Sequence, residues 1–248
     1  MIPKKIHYCW FGRKPIPDSV RRCMQSWQKF CPDYLIVEWN EKNFNINCNT
    51  FVKRAYKDKK WAFVSDYARF YILYNYGGIY IDTDVELVKN IDDFLHEACF
   101  MGFERKGSVA PGLILGAEKK HAFLQRILLK YSKISYEKYS TVCHITTDVL
   151  VDIGLNKNKN IIQRLDNITI YPQQYFRGGD VLKGEKLITQ NTFAIHHYEA
   201  SWVSTEEKNI QKKYIKIYKK FGYNIITRII TGIICRVYRV CLKITNYL

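Results

Sequence analysis

Hydrophobic spacing changes twice in the first forty residues. Ile6-His7-Tyr8-Cys9-Trp10-Phe11 is a short, nearly unbroken apolar run closed by Gly12 and by a loop with Pro15 and Pro17, the pattern of a buried strand. Val20, Cys23, Met24, Trp27, Phe30 and Cys31 then recur at helical intervals and give one apolar face, capped by Asp18 or Ser19 and ended by Pro32. The run 34–40 is β-rich again. The order β-α-β implies a parallel pair with a right-handed crossover.

Ala62 to Asn75 contains neither Pro nor Gly, and Phe63, Tyr67, Phe70, Tyr71 and Tyr74 repeat as on an amphipathic helix. Gly77-Gly78 supplies the positive φ that closes it, and Ile79-Tyr80-Ile81 reads as a strand buried on both faces. Further on, the pattern predicts a short helix from Thr50 to about Asp58, a strand from Val85 to Val88 and a helix from Lys120 to Tyr131. A polar loop with Gly107, Pro111 and Gly112 lies between Phe100–Glu104 and Leu113–Ala117, placed to close over a substrate. A helix starts near His144–Asp148, with Asp148 as a capping acid at an end that can also hold a sugar or phosphate oxygen, and Ile168–Tyr171 is a strand ended by Pro172.

This arrangement puts Asp82-Thr83-Asp84 at the carboxyl end of a strand, the edge where open α/β sheets bind ligands. Alternation points both aspartates the same way, and two carboxylates so close repel unless a cation or a proton lies between them. Mg²⁺ or Mn²⁺ suits such a pair, because these ions take one or two protein carboxylates and fill their shell with water and phosphate oxygens. Asp66 and Arg69 share a face of the preceding helix, as ligand groups or as an ordinary ion pair. Near the far end, His196 and His197 are adjacent on an extended segment, so at most one faces the metal; Trp202 follows.

The block Phe63-Val64-Ser65-Asp66-Tyr67-Ala68-Arg69 followed by Tyr76-Gly77-Gly78-Ile79-Tyr80-Ile81-Asp82-Thr83-Asp84 closely resembles the glycosyltransferases whose sugar-binding region contains a D-x-D motif. That family includes capsular polysaccharide enzymes and yeast-type mannosyltransferases, and it is distantly similar to large glucosylating toxins. The opening Ile2–Gly12 and the closing His196-His197-x-x-x-Ser201-Trp202 resemble the same family. The resemblance implies a GT-A (nucleotide-diphospho-sugar transferase) fold, a Rossmann-like mixed sheet flanked by helices. It implies Mn²⁺ or Mg²⁺ held by Asp84 and His197, with His196 as the fallback ligand and Asp82 on the ion through water or on the ribose or sugar. Trp10 is the implied base-stacking aromatic, Tyr80 a donor contact, Trp202 a neighbour of the diphosphate, Asp66 and Arg69 bind sugar hydroxyls, and Asp148 lies where the family places acceptor-side residues. The expected reaction is transfer of a hexose from a sugar nucleotide, a UDP-sugar by analogy, to a saccharide or lipid-linked acceptor in surface polysaccharide synthesis. Retention of configuration is implied by the family and by no residue.

Composition refines this picture. With 248 residues and 47% apolar content, one catalytic domain over residues 1–203 is expected, followed by a basic amphipathic tail, 204–248. The tail holds ten Lys and Arg against two Glu, half of the net charge of +16. Arg228, Arg236, Arg239 and Lys243 form a stripe opposite Ile226, Ile229, Ile233, Val237 and Val240, the pattern of a helix on an anionic membrane surface or docked on its own domain. No uncharged run exceeds twelve residues and Met1–Lys5 opens no signal peptide, so the expected place is cytoplasmic, peripheral at the membrane face. The eight cysteines show no C-x-x-C or zinc spacing and read as reduced thiols. A nucleic-acid binder fits the charge but not its concentration in an isoleucine-backed tail. A haloacid-type phosphatase lacks its signature after Asp84. The remaining alternative is an inactive donor-binding or membrane-surface scaffold.

Overall fold

The structure is a computed structural model and describes residues 1–136, 139–178 and 188–198. These all fall within one compact unit, Met1–Gly179 with Leu187–Glu199. Ser201, Trp202, the boundary at 203/204 and the basic tail lie outside the described residues. Among the described residues no helix is long and apolar enough to cross a membrane.

The predicted β-α-β opening is β1 (Lys5–Cys9), α1 (Asp18–Phe30) and β2 (Leu35–Trp39), with β1 and β2 parallel. Next come α2 (Thr50–Lys57), α3 (Trp61–Tyr76), β3 (Gly78–Tyr80) and β4 (Val85–Leu87). The chain continues through β5 (Cys99–Arg105), β6 (Ser108–Val109), β7 (Leu115–Ala117), α4 (Ala122–Lys133) and α5 (Val142–Asp152). It closes with β8 (Gln163–Leu165), β9 (Ile168–Tyr171) and β10 (Ala194–His196). The main sheet has the order β2-β1-β3-β7-β5-β9-β8, with β6 paired on β5. Strands β1, β2, β3, β5 and β9 run one way and β7 and β8 the other, which makes the sheet mixed, as expected. Their carboxyl ends therefore share one edge.

Helix α3 differs from the amphipathic reading. Val64, Ala68, Ile72 and Leu73 are fully buried as well as Tyr67 and Phe70, and so are the charged Asp66 and Arg69. The helix is enclosed by α2, α4 and the sheet rather than laid on a surface. It ends at Gly77 and Gly78, both at positive φ. A Cβ on Gly78 would stand 2.9 Å from both His7 Nε2 and the Lys5 carbonyl. The close approach of turn and first strand thus requires glycine.

The two-stranded ribbon of β4 and β10 lies apart from the main sheet, antiparallel, with His196 opposite Val85. Helix α1 holds it from beneath: Trp27 Nε1 donates to the Val85 carbonyl at 2.8 Å and Ser26 Oγ accepts from Leu87 N at 2.9 Å. Trp27 is completely buried. Truncating a buried Trp costs about 3–5 kcal/mol, so β4 is held firmly just after the two aspartates.

The loop expected to close over substrate is a fixed wall. Only the tip of the β5–β6 hairpin, at Arg105 and Lys106, is exposed, whereas Val109 to Leu115 are buried. The six described cysteines are free thiols: Cys9, Cys23, Cys31 and Cys99 buried, Cys48 and Cys143 half-buried.

Candidate active site

Asp82 and Asp84 follow β3 at the shared carboxyl edge, as the sequence places them. They differ in surroundings. Asp82 Oδ1 accepts from Tyr80 Oη at 2.9 Å and pairs with Arg69 Nη2 at 3.3 Å. Arg69 also donates to Asp66 Oδ1 at 3.0 Å and, through Nε, to the Ser65 carbonyl at 3.1 Å. Its guanidinium lies 4.7 Å from the centre of the Tyr80 ring. One buried cation thus holds two carboxylates. Burial raises Asp66 to about 6 against the pull of Arg69, and burial together with the nearby Asp84 charge raises Asp82.

The wall opposite Asp82 is backbone. Asp82 N donates to the Gly112 carbonyl at 2.9 Å, and a Cβ on Gly112 would lie 1.9 Å from Asp82 Oδ2. Gly112 belongs to the predicted loop, but its function is to let that wall touch the carboxylate.

Asp84 points to the ribbon partner. Its Oδ1 lies 3.2 Å from His196 Nε2. His197 touches Asp84 only through its backbone, His197 N to Asp84 O at 2.9 Å, while its ring meets Glu86 Oε2 at 2.9 Å on the exposed side. The fallback histidine therefore occupies the position expected of His197. The cause is the register of β10: Ala194 is fully buried, and His196, two residues on, takes the same inward face. Burial alone would lower His196, but the hydrogen bond and charge of Asp84, with Asp82 and Glu104 adding, raise it. The Tyr198 ring lies against His196, tilted by 43° with centres 3.9 Å apart, and Tyr198 Oη accepts from Arg177 Nε at 3.1 Å. Neither Tyr198 nor Arg177 carried a motif that pointed to this place.

The donor set suits a hard divalent ion. Asp84 and His196 converge, Asp82 stands beside them, and His196 Nδ1 is buried with no hydrogen-bond partner among the described residues. No group of three or more His, Cys, Asp or Glu forms a cage there among those residues. Mg²⁺ and Mn²⁺ sites completed by substrate phosphates need none. Asp84 and His196 are the side chains that would hold such an ion.

The remaining expected residues fall in different places. Trp10 stands just past the carboxyl end of β1, half-buried, its Nε1 donating to the Lys14 carbonyl at 2.7 Å. Tyr80 is 1% exposed, so its hydroxyl acts on Asp82. Asp66 and Arg69 are likewise turned inward and brace Asp82. Asp148 neither caps α5 nor enters the cluster. The helix starts at Val142, capped by Thr141 Oγ1 accepting from His144 N at 3.1 Å, and Asp148 pairs with His144 on the surface at 3.3 Å. The earlier Thr had the better position for the cap. The sequence reading also missed Tyr139, whose hydroxyl donates to Asp66 Oδ2 at 2.6 Å.

The fold, a mixed sheet flanked by helices with two aspartates at its carboxyl edge, is similar to that of the GT-A glycosyltransferases. Residues 17–101 match the family described as glycosyltransferase sugar-binding region containing DXD motif, which bears out the resemblance carried by the sequence. Inositol phosphoceramide mannosyltransferase 3 of Schizosaccharomyces pombe is 26% identical over 166 residues, 61% of this chain and 44% of that protein. An uncharacterized glycosyltransferase of Acanthamoeba polyphaga mimivirus is 26% identical over 185 residues, 69% of this chain and 74% of the relative. Among solved structures, the PaToxG glycosyltransferase superimposes with a TM-score of 0.51 at 16% identity, covering 61% of this chain and 69% of that one, a likeness of fold. Residues 17–101 thus resemble a glycosyltransferase sugar-binding region, and the chain spans less than half of the yeast relative's length.

Proposed function

We propose that the protein transfers a hexose from a nucleotide-diphospho-sugar to a saccharide or lipid-linked saccharide, with Asp84 and His196 as the metal ligands. The observation that carries this reading is the Asp84–His196 pair, closed by the β4–β10 ribbon beside the Asp82 carboxylate that Arg69 holds. A divalent ion at that pair would neutralise charge developing on the departing diphosphate. Asp82, fixed by Arg69, Tyr80 and the Gly112 wall, orients the ion's water or the sugar. Asp66 acts through Arg69 and reaches a sugar hydroxyl only if Tyr139 releases Oδ2. Trp10, at the β1 end of the same edge, offers an apolar face to the base.

UDP is the proposed nucleotide and retention the proposed outcome, both by resemblance; the name of the yeast relative brings mannose into consideration. Contact of the basic tail with an anionic membrane at the cytoplasmic face, and a role in surface polysaccharide synthesis, belong to the same proposal. The test is calorimetry on the full chain with UDP- and GDP-sugars, with and without Mn²⁺. Mn²⁺-dependent binding of one donor supports the reading and names the sugar. A folded protein that binds none of them overturns it.

A further inference from the structure

Glu104 has no place in the reading above and belongs to no motif, yet three features of the fold converge on it. First, it lies near the carboxyl end of β5, on the same edge as Asp82, because β5 and β3 run the same way on either side of β7. Second, the pairing of β5 with β6 slips between Phe103 and Arg105, so Glu104 sits in a β-bulge. Bulges bend a strand and re-aim a side chain, and they recur beside active sites.

Third, alternation assigns the faces of β5 up to the bulge. Cys99, Met101 and Phe103 enter one core layer, whereas Phe100 enters the layer that also holds Val85 and Ala194 of the ribbon. Gly102 lies on the Phe100 side, where a Cβ would meet Phe176 at 2.6 Å. Glu104 follows in the bulge, whose bend rather than the pleat sets its direction. Its charge is felt both at His196 of the ribbon and at Cys143 in the first turn of α5. Glu104 is half-buried, open enough to meet a ligand.

Sheet order then assigns the ligand. Across the edge, β1 carries Trp10 on the base side, β3 leads to the aspartates, and β5 stands two strands further, roughly 10 Å at ordinary strand spacing. A donor laid from β1 toward β3 places its sugar, and then the attacking hydroxyl, toward β5. We infer that Glu104 is the catalytic carboxylate of the acceptor side, which holds the attacking hydroxyl and takes its proton. The bond between the sugar's anomeric carbon and the diphosphate oxygen breaks, and its electron pair leaves with the nucleoside diphosphate. A bond from the acceptor oxygen to the anomeric carbon forms on the face that the diphosphate leaves, as the proposed retention requires, and the hydroxyl proton passes to the Glu104 carboxylate.

The inference rests on the transferase reading, and one experiment separates the two. Full-length wild type, Glu104→Gln and Glu104→Ala are given the UDP- or GDP-sugar that wild type binds with Mn²⁺, and water serves as the acceptor. Donor Kd is measured by calorimetry and free sugar by chromatography. Both variants keep Kd within about threefold, while hydrolysis falls at least ~100-fold, the usual worth of a positioned acid–base group. Formate restores hydrolysis to the Ala variant and not to the Gln variant, whose amide still fills the space. If either variant fails to fold, Glu104→Asp, which keeps the charge and shortens the reach, is read by the same two numbers.

Unchanged hydrolysis overturns the inference, as does a loss of Kd in step with rate, which would put Glu104 on the donor side. A wild type that binds donor and releases no sugar overturns it too. A wild type that binds no donor removes the transferase reading itself.

Discussion

Tyr139 Oη donates a hydrogen bond to Asp66 Oδ2 at 2.6 Å, so Asp66, whose other oxygen accepts from Arg69, has both oxygens engaged inside the protein. Tyr139→Phe leaves that oxygen buried and unpaired. A lost hydrogen bond to a buried charge costs about 1.5–3 kcal/mol. Because Asp66 sits at about 6, the loss is largest above that pH and shrinks below it as the carboxyl protonates. Urea unfolding of wild type and variant at pH 8 and pH 5 reads the difference, and equal losses at both would refute it.

The ribbon register separates the two histidines. Asp84→Asn and His196→Ala each abolish the Mn²⁺ dependence of donor binding, at least ~10-fold in Kd, as expected when a ligand is removed. His197→Ala, which loses only an exposed contact to Glu86, leaves it within about twofold. Calorimetry on the three variants checks this. The reverse ranking would restore His197 as the ligand.

Gly112→Ala inserts a methyl where Asp82 Oδ2 stands 1.9 Å away. Overpacking of this kind costs about 1–3 kcal/mol of stability. Displacing Asp82 by even an ångström costs on the order of 100-fold in turnover. A thermal melt together with a transfer or hydrolysis assay measures both. A variant with unaltered turnover would show that the wall is not fixed.

Two buried groups oppose each other as the solution is acidified. His7 accepts from Trp39 Nε1 at 3.0 Å and its other nitrogen faces the Gly77 carbonyl at 3.0 Å, and burial lowers it from 6.5 to about 4. Its native state is neutral, so on the order of 3 kcal/mol of stability is lost as pH falls from 6.5 toward 4. Asp66 is raised from 3.8 to about 6, so its ionised form is a cost at neutral pH that is relieved as pH falls through 6. Wild type therefore has a flat stability profile between about pH 6 and 4 as far as these two groups set it. In Asp66→Asn the His7 loss is uncovered, and urea midpoints decline through that window. Parallel profiles for the two proteins would count against the pairing.

The strongest sequence signals proved the most reliable. The helix expected at 62–75 is found at Trp61–Tyr76 and the strand expected at 168–171 at Ile168–Tyr171, because periodicity and the glycine or proline that follows each element are local properties. What could not be read depends on partners far along the chain. Whether His196 or His197 turns inward is fixed by pairing with β4, and a slip of one residue would exchange them. Tyr139 and Glu104 carry no spacing at all. One reaches Asp66 across 73 residues, and the other is aimed by a bulge that exists only once β6 has paired. The loop with Gly107, Pro111 and Gly112 reads as one that closes over substrate, but Gly112 there permits close packing against Asp82.

The β4–β10 ribbon also has a place in time. Helix α3, β3 and the two aspartates are neighbours in the chain and form quickly, whereas the contact between Glu86 and His197 closes a loop of 111 residues. Long-range closures are reached late in folding, after the entropy of bringing distant segments together has been met. During refolding, helical structure should return before the Asp84–His196 pair does. The proposed capacity to hold a metal and a sugar nucleotide is then acquired late, and a nascent chain that stops short of residue 196 has the aspartates without the histidine that faces Asp84.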